Sequence, residues 1–210
     1  MPSSEQAVTT SAGPARVLVQ GEAGGGLLVL GHGAGGGIDA VDLRAVASAA
    51  AERGWRALLV EQPWRVAGRK VAPPPAHLDR YWLEVLEAVL PGLHEPRTPL
   101  VVGGRSAGAR VACRTAGAVG ADAVMCLAFP LHPPGRPERS RAEELRGAGV
   151  PVTVVQGERD AFGRPDEVVE AVRGVEDVRV HAVPGDHALK ADPSAVAAAV
   201  VASLPGTPGV

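Results

Sequence analysis

The chain is poor in aromatic residues, poor in cysteine and free of long apolar runs. Aromatics make up 3% of its 210 residues, cysteines number two, and the formal net charge is only −2. Each shortage excludes something. A membrane-spanning helix needs about 20 consecutive apolar residues, and the longest Ala/Val tract, Ala195–Leu204, falls well short. A nucleic-acid binder needs clustered cations to neutralise phosphates. Here the arginines of 135–141 are interleaved with acids and prolines, which reads as a solvated loop. The opening stretch MPSSEQAVTTSAGPA has neither a basic n-region nor an apolar h-region, so no secretory signal is expected. Cys113 and Cys126 lack C-x-x-C spacing and lie in apolar segments; they read as buried free thiols, with a disulfide as the alternative. No histidine pair has the helical spacing of a zinc site, so no metal is expected. Together these features point to the cytoplasm and leave the oligomeric state open.

Glycine and proline are abundant instead, at 27 and 19 residues. Valine, leucine and alanine are too plentiful for disorder, so the glycine clusters should have defined uses. A chain of this length suits one domain that buries roughly 70% of its unfolded surface. Residues 14–204 are expected to form it, with flexible tails at 1–13 and 205–210. Strands are expected at Arg16–Gln20, Leu27–Leu30, Arg56–Val60, Leu100–Val102, Val124–Phe129, Val152–Val155 and Val178–Val183. Helices are expected at Val41–Arg53, Leu78–Leu90, Ala107–Ala118, Ala142–Arg146, Pro165–Arg173 and Ala195–Leu204. Gln62–Pro75 reads as the longest irregular loop. Apolar strands alternating with helices predict an α/β fold with a mainly parallel sheet of about six or seven strands, covered on both faces. Ligands bind such sheets beyond the carboxyl ends of the strands.

Glycine-rich and polar signals collect at those ends. After Leu100–Val102, residues Gly104-Arg105-Ser106-Ala107-Gly108 match G-x-S-x-G and lead into a helix. This is the pattern of a nucleophile elbow. Ser106 sits on a strained strand-to-helix turn, and the absence of side chains at Gly104 and Gly108 lets that turn close. The helix N-terminus then favours a developing negative charge. The bland alternative is a glycine-rich turn with a helix-capping serine. A serine nucleophile needs a base and an acid that orients it. Asp160 follows Val152–Val155, and His187 follows Val178–Val183 in Gly185-Asp186-His187. Asp160 could equally be a turn residue and His187 a surface histidine. Their order and positions after successive strands argue for acid and base. Leu27–Leu30 runs into Gly31-His32-Gly33-Ala34-Gly35-Gly36-Gly37. The expected oxyanion donors are the amides of Ala34 and Ala107, with His32 and Gly33 shaping the loop. Arg105, beside the serine, has two open roles, contact with an acidic substrate or a structural ion pair.

The same glycines admit another reading. Gly31, Gly33 and Gly36 satisfy G-x-G-x-x-G after a strand, and Glu61 stands where a ribose-binding acid would. An NAD(P)-binding oxidoreductase is therefore the alternative enzyme. A Walker A loop is excluded, because no Lys-Ser/Thr follows the glycines.

Five segments carry a family resemblance: Gly31–Gly36, Gly103–Gly108, Phe129-Pro130-Leu131-His132-Pro133-Pro134-Gly135, Gly157–Gly163 and Gly185–His187. The set resembles small α/β hydrolases of the dienelactone-hydrolase-like type. It is most similar to the bacterial relatives of testis-expressed protein 30, a group that includes the third regulatory subunit of the nonspecific lethal complex. The resemblance implies a compact α/β-hydrolase fold without a lid domain, a triad of Ser106, Asp160 and His187, no cofactor, and a small-molecule acyl substrate. Ala107-Gly108-Ala109 departs from relatives that carry bulkier residues or a second glycine, which bears on pocket width. Because eukaryotic members serve as complex subunits, a non-catalytic interaction module is the second alternative. Trp64, Tyr81, Trp82, Phe129 and Phe162 are the main aromatics available to line a site. So few aromatics favour a shallow acyl pocket and carboxyl esters.

Overall fold

In the computed structural model, residues 3–22 and 24–206 are described. Eight strands form one sheet: β1 (Ser3–Thr10), β2 (Gly13–Gln20), β3 (Leu27–Gly31), β4 (Arg56–Glu61), β5 (Leu100–Arg105), β6 (Ala123–Leu127), β7 (Val152–Gly157) and β8 (Val178–Val183). Their spatial order is β1-β2-β4-β3-β5-β6-β7-β8. β1 pairs antiparallel with β2 and β2 with β4, while the strands from β4 through β8 run parallel. Seven α-helices accompany them among the described residues: α1 (Val41–Glu52), α2 (Pro63–Val66), α3 (Pro75–Leu93), α4 (Ala107–Thr115), α5 (Ala142–Arg146), α6 (Pro165–Ala171) and α7 (Pro193–Ala202).

Alternation along each strand divides the core into two. Leu27 and Val29 of β3 point to one face, where Trp82 and Leu86 of α3 and Ala109 and Ala112 of α4 cover them. Leu28 and Leu30 point to the other, under Leu43, Val46 and Ala50 of α1 and Val196 and Val200 of α7. Every residue of β3 and β7 is buried, which is why β3 reads as an unbroken apolar run and β7 as a valine-rich one broken by Thr153 and Gln156.

The structure departs from the sequence-based expectations in several places. The sheet has eight strands rather than six or seven, because residues 3–10 of the expected N-terminal tail form β1. Its side chains are mostly exposed, and its partners Ser3↔Gln20 through Thr10↔Gly13 are joined by backbone. An edge strand of this kind leaves no apolar period to read. Ser11 anchors the hairpin, its N–H and Oγ donating to the Glu84 carboxylate at 2.8 and 2.7 Å. Residues 1–2 and 207–210 of the expected tails lie outside the described residues. α3 starts three residues earlier than expected, at Pro75, and runs past Pro91. Pro75 occupies the first helical position, which needs no N–H, and Pro91 sits exposed in the last turn where little is lost. The loop after β4 contains α2. β6 ends two residues early because Ala128 turns into the left-handed region at φ 48°. Cys113 and Cys126 are free and buried, with their Sγ atoms 3.5 Å apart.

Candidate active site

Ser106 alone makes the turn between β5 and α4, at φ 52° and ψ −108°. An L-residue in such a region carries about 1–3 kcal/mol of strain. Its N–H donates to the Leu127 carbonyl at 2.9 Å, which holds the turn against β6. The two motif glycines turn out to answer to one neighbour. A Cβ at Gly104 would run into the Gly31 carbonyl oxygen, and one at Gly108 would stand 2.6 Å from that same oxygen. Their bareness lets the β5 turn close upon the end of β3.

Ser106, His187 and Asp160 come together, although 81 and 27 residues separate the successive pairs. The Ser106 hydroxyl lies 2.9 Å from His187 Nε2, and His187 Nδ1 lies 2.8 Å from Asp160 Oδ2. A carboxylate can only accept, so the proton belongs on Nδ1, leaving Nε2 to accept from the serine. Asp160 is 1% exposed, and its second oxygen accepts the Phe162 N–H at 2.8 Å. The Phe162 ring lies against the imidazole, centroids 4.1 Å apart. The loop that carries His187 is shaped by Asp186, which accepts the Ala188 N–H at 2.9 Å, and by Leu189 at φ 51°.

The oxyanion candidates share one small cavity of about 10 Å³, lined by Ala34 and Ala107 together with His32, Gln62, Trp64 and Leu78. Ala107 opens α4, so its N–H has no partner within the helix. Among the described residues Ala34 donates no backbone hydrogen bond. His32 is fixed in place: Nδ1 donates to the Gly33 carbonyl at 2.8 Å, and Nε2 accepts the Gln62 N–H at 3.1 Å. Burial holds its pKa below the ordinary histidine value. A ring with both nitrogens engaged by backbone groups orients the loop.

A family model for the alpha/beta hydrolase domain matches residues 25–198. The chain belongs to the α/β-hydrolase family. No curated protein sequence matches it. Among solved structures, this α/β hydrolase resembles an alpha-beta serine hydrolase homologue from Coxiella burnetii, at TM-score 0.75 and 15% identity over 96% of both chains. It also resembles an α/β serine hydrolase without lid from Xanthomonas campestris, at TM-score 0.70 and 20% identity over 99% of both. Est1E from Butyrivibrio proteoclasticus aligns at TM-score 0.73 and 14% identity, over 93% of this chain and 95% of that one.

The hydrolase carries further residues around the row that sequence reasoning missed. Gln156, fully buried at the end of β7, places Nε2 within hydrogen-bond distance of Asp160 Oδ2 at 2.9 Å, the Gly163 carbonyl at 2.7 Å and the Phe129 carbonyl at 3.1 Å, three acceptors that share its two N–H donors. The available signal was one polar residue closing an apolar strand. Arg105 faces the buried Asp42 carboxylate, Nε to Oδ2 at 3.2 Å, and donates from Nη2 to the His187 carbonyl at 3.0 Å. Burial raises the Asp42 pKa, opposed by Arg105. Other expectations fail. Trp82 and Phe129 are core residues, 1% and 0% exposed, and of the aromatics only Phe162 lines the open cleft over Ser106. Glu61, the ribose-binding candidate, is committed to Arg16, whose Nη2 stands 2.8 Å from it. The dinucleotide reading thereby loses its recognition carboxylate. Among the described residues no cluster of three metal-ligating side chains occurs, and no helix is long and apolar enough to cross a membrane.

Proposed function

We propose that this α/β hydrolase is a serine esterase that works through an acyl-enzyme on small or medium carboxylic esters. The observation that carries the reading is the continuous row from the strained Ser106 through His187 to the buried Asp160. In this scheme His187 Nε2 takes the Ser106 proton as Oγ attacks the ester carbonyl. Asp160 stabilises the imidazolium that results, and the amides of Ala34 and Ala107 receive the oxyanion. Collapse expels the alcohol, which takes the proton from His187. Water, deprotonated by the same imidazole, then releases the acid. A cleft of about 580 Å³ lies over Ser106 and His187, walled by Gly33–Gly37, and suits a substrate of modest size. The family-typical Leu131–Gly135 segment supports placing the protein with the dienelactone-hydrolase-like group. It braces the acid loop, since the His132 N–H donates to the Phe162 carbonyl at 3.0 Å.

A fluorophosphonate probe and a p-nitrophenyl ester test the reading, each with wild type and Ser106→Ala. Labelling and turnover by the wild type, both abolished in the variant, are expected. A folded wild type that neither labels nor turns over any ester would overturn it, and labelling that persists in the variant would move the nucleophile elsewhere.

A further inference from the structure

The cleft is lined by five charged side chains: Asp39, Glu61, Arg65, Arg105 and Lys190. They divide into two ends of different balance. At one end Glu61 is paired with Arg16, and Asp39 also acts on Arg16 electrostatically. Arg65 stands by the same carboxylate: its Nε and Glu61 Oε1 lie 3.8 and 2.5 Å from a single point, the Cβ position of Gly37. Cations and anions are matched there. At the other end Arg105 and Lys190 face one carboxylate, Asp42, which is 1% exposed and lies behind Arg105 rather than on the cleft wall. Lys190 is exposed and forms no ion pair among the described residues, though it is near enough to act on Asp42. On the cleft wall itself this end carries two cations and no carboxylate.

The guanidinium of Arg105 is also held in a defined pose. Nε faces Asp42 and Nη2 is used by the His187 carbonyl, which leaves Nη1 without a hydrogen bond among the described residues. Nη1 lies 3.7 Å from the Cβ position of Gly33, a point itself 3.4 Å from Ser106 Cβ. A Cβ at Gly36 would have Nη1 as its near neighbour, at 3.8 Å, and one at Gly35 would meet nothing. The glycine loop therefore leaves the arginine's free donors uncovered, beside the nucleophile and in reach of a bound acyl group. Charge-assisted hydrogen bonds from a pre-oriented arginine are among the stronger polar contacts, and they distinguish an anion from its uncharged isostere.

Building on the esterase reading, we propose that the substrate's acyl portion carries a carboxylate, held by Arg105 Nη1 and the Lys190 ammonium. The substrate class is then a monoester of a dicarboxylic acid.

The test compares mono-p-nitrophenyl glutarate with p-nitrophenyl valerate, acyl groups of equal length that end in a carboxylate and a methyl group. After correction for uncatalysed hydrolysis, the wild type should favour glutarate in kcat/KM by about tenfold or more, and added salt should shrink the ratio. Arg105→Gln and Lys190→Ala should each lower it towards unity. A wild-type ratio near one, or one that Arg105→Gln leaves unchanged, overturns the proposal while the esterase stands. An equal loss on both esters in Arg105→Gln assigns that residue to holding His187 alone, and also overturns it. Calorimetry of free glutarate with Ser106→Ala separates the two ideas, because it needs no turnover. Binding there that disappears when Arg105→Gln is added supports the anion site even if no ester is cleaved. Absence of binding in Ser106→Ala overturns it.

Discussion

Replacing Gln156 by leucine should damage the site while leaving Ser106, His187 and Asp160 themselves in place. The side chain is fully buried, and its amide holds Asp160 Oδ2, the Gly163 carbonyl and the Phe129 carbonyl. A hydrogen bond to a carboxylate contributes about 1.5–3 kcal/mol, and a buried acceptor left without a donor costs about 1–3 kcal/mol. Phe129 keeps a second donor, the Leu131 N–H at 2.9 Å, so its loss is partial. Gln156→Leu should then lower stability by about 3–5 kcal/mol, read from urea unfolding. Asp160 retains the Phe162 amide but loses the contact that fixes the oxygen facing His187. A misaligned base costs about tenfold to a hundredfold in kcat, while KM should change little because Gln156 does not line the cleft. A folded Gln156→Leu enzyme with wild-type kcat would refute the reasoning. Gln156→Glu adds a sharper readout. Two carboxyl groups side by side cannot both ionise easily, so the pair would share a proton with a raised pKa. The protonated acid still donates to Asp160, and activity relative to wild type should fall as pH rises through that value. A flat ratio across pH would show that the donor is irrelevant.

Other outcomes follow from the same geometry. Ser106→Gly should abolish ester turnover yet raise the urea midpoint, because glycine adopts φ 52° without the strain of about 1–3 kcal/mol that serine carries; a drop in stability would count against a strained elbow. His32, buried and neutral with a lowered pKa, must shed a proton that the unfolded chain binds. Stability linked to it is therefore lost as pH falls below about 6.5, and His32→Asn should flatten the dependence of the unfolding free energy on pH in that range. The Cys126 thiol has its pKa pushed up by burial, next to Cys113. Ellman's reagent should find no reactive thiol in the native protein and both after denaturation; no thiol in the unfolded chain would mean a bridge.

Much of the architecture was legible because burial on two faces writes itself into composition. β3 and the first half of β5 are apolar runs and β7 is rich in valine, so the elbow and Asp160 each follow a legible buried strand, while His187 follows β8, whose residues alternate in character. β1 was not legible, since its pairing is made by backbone groups that every residue shares. Nor was the Arg105–Asp42 contact, which joins residues 63 positions apart and depends on how α1 settles over the sheet. Gln156 was hidden for a related reason. Its amide reaches three acceptors, one after β6 and two in the loop after β7, and only the folded chain assembles them.

The carbonyl oxygen of Gly31 has a consequence beyond steric fit. Gly104 and Gly108 both close on that atom, and the next residues along the chain form the loop that carries Ala34. The turn that bears Ser106 and the loop that bears Ala34 are thus both set against one atom. A side chain at either glycine would push the Ser106 turn off the end of β3 and so change its spacing from the loop that follows that strand. The elbow pentapeptide alone would not transplant this property to another fold; the neighbouring strand's bare carbonyl has to travel with it.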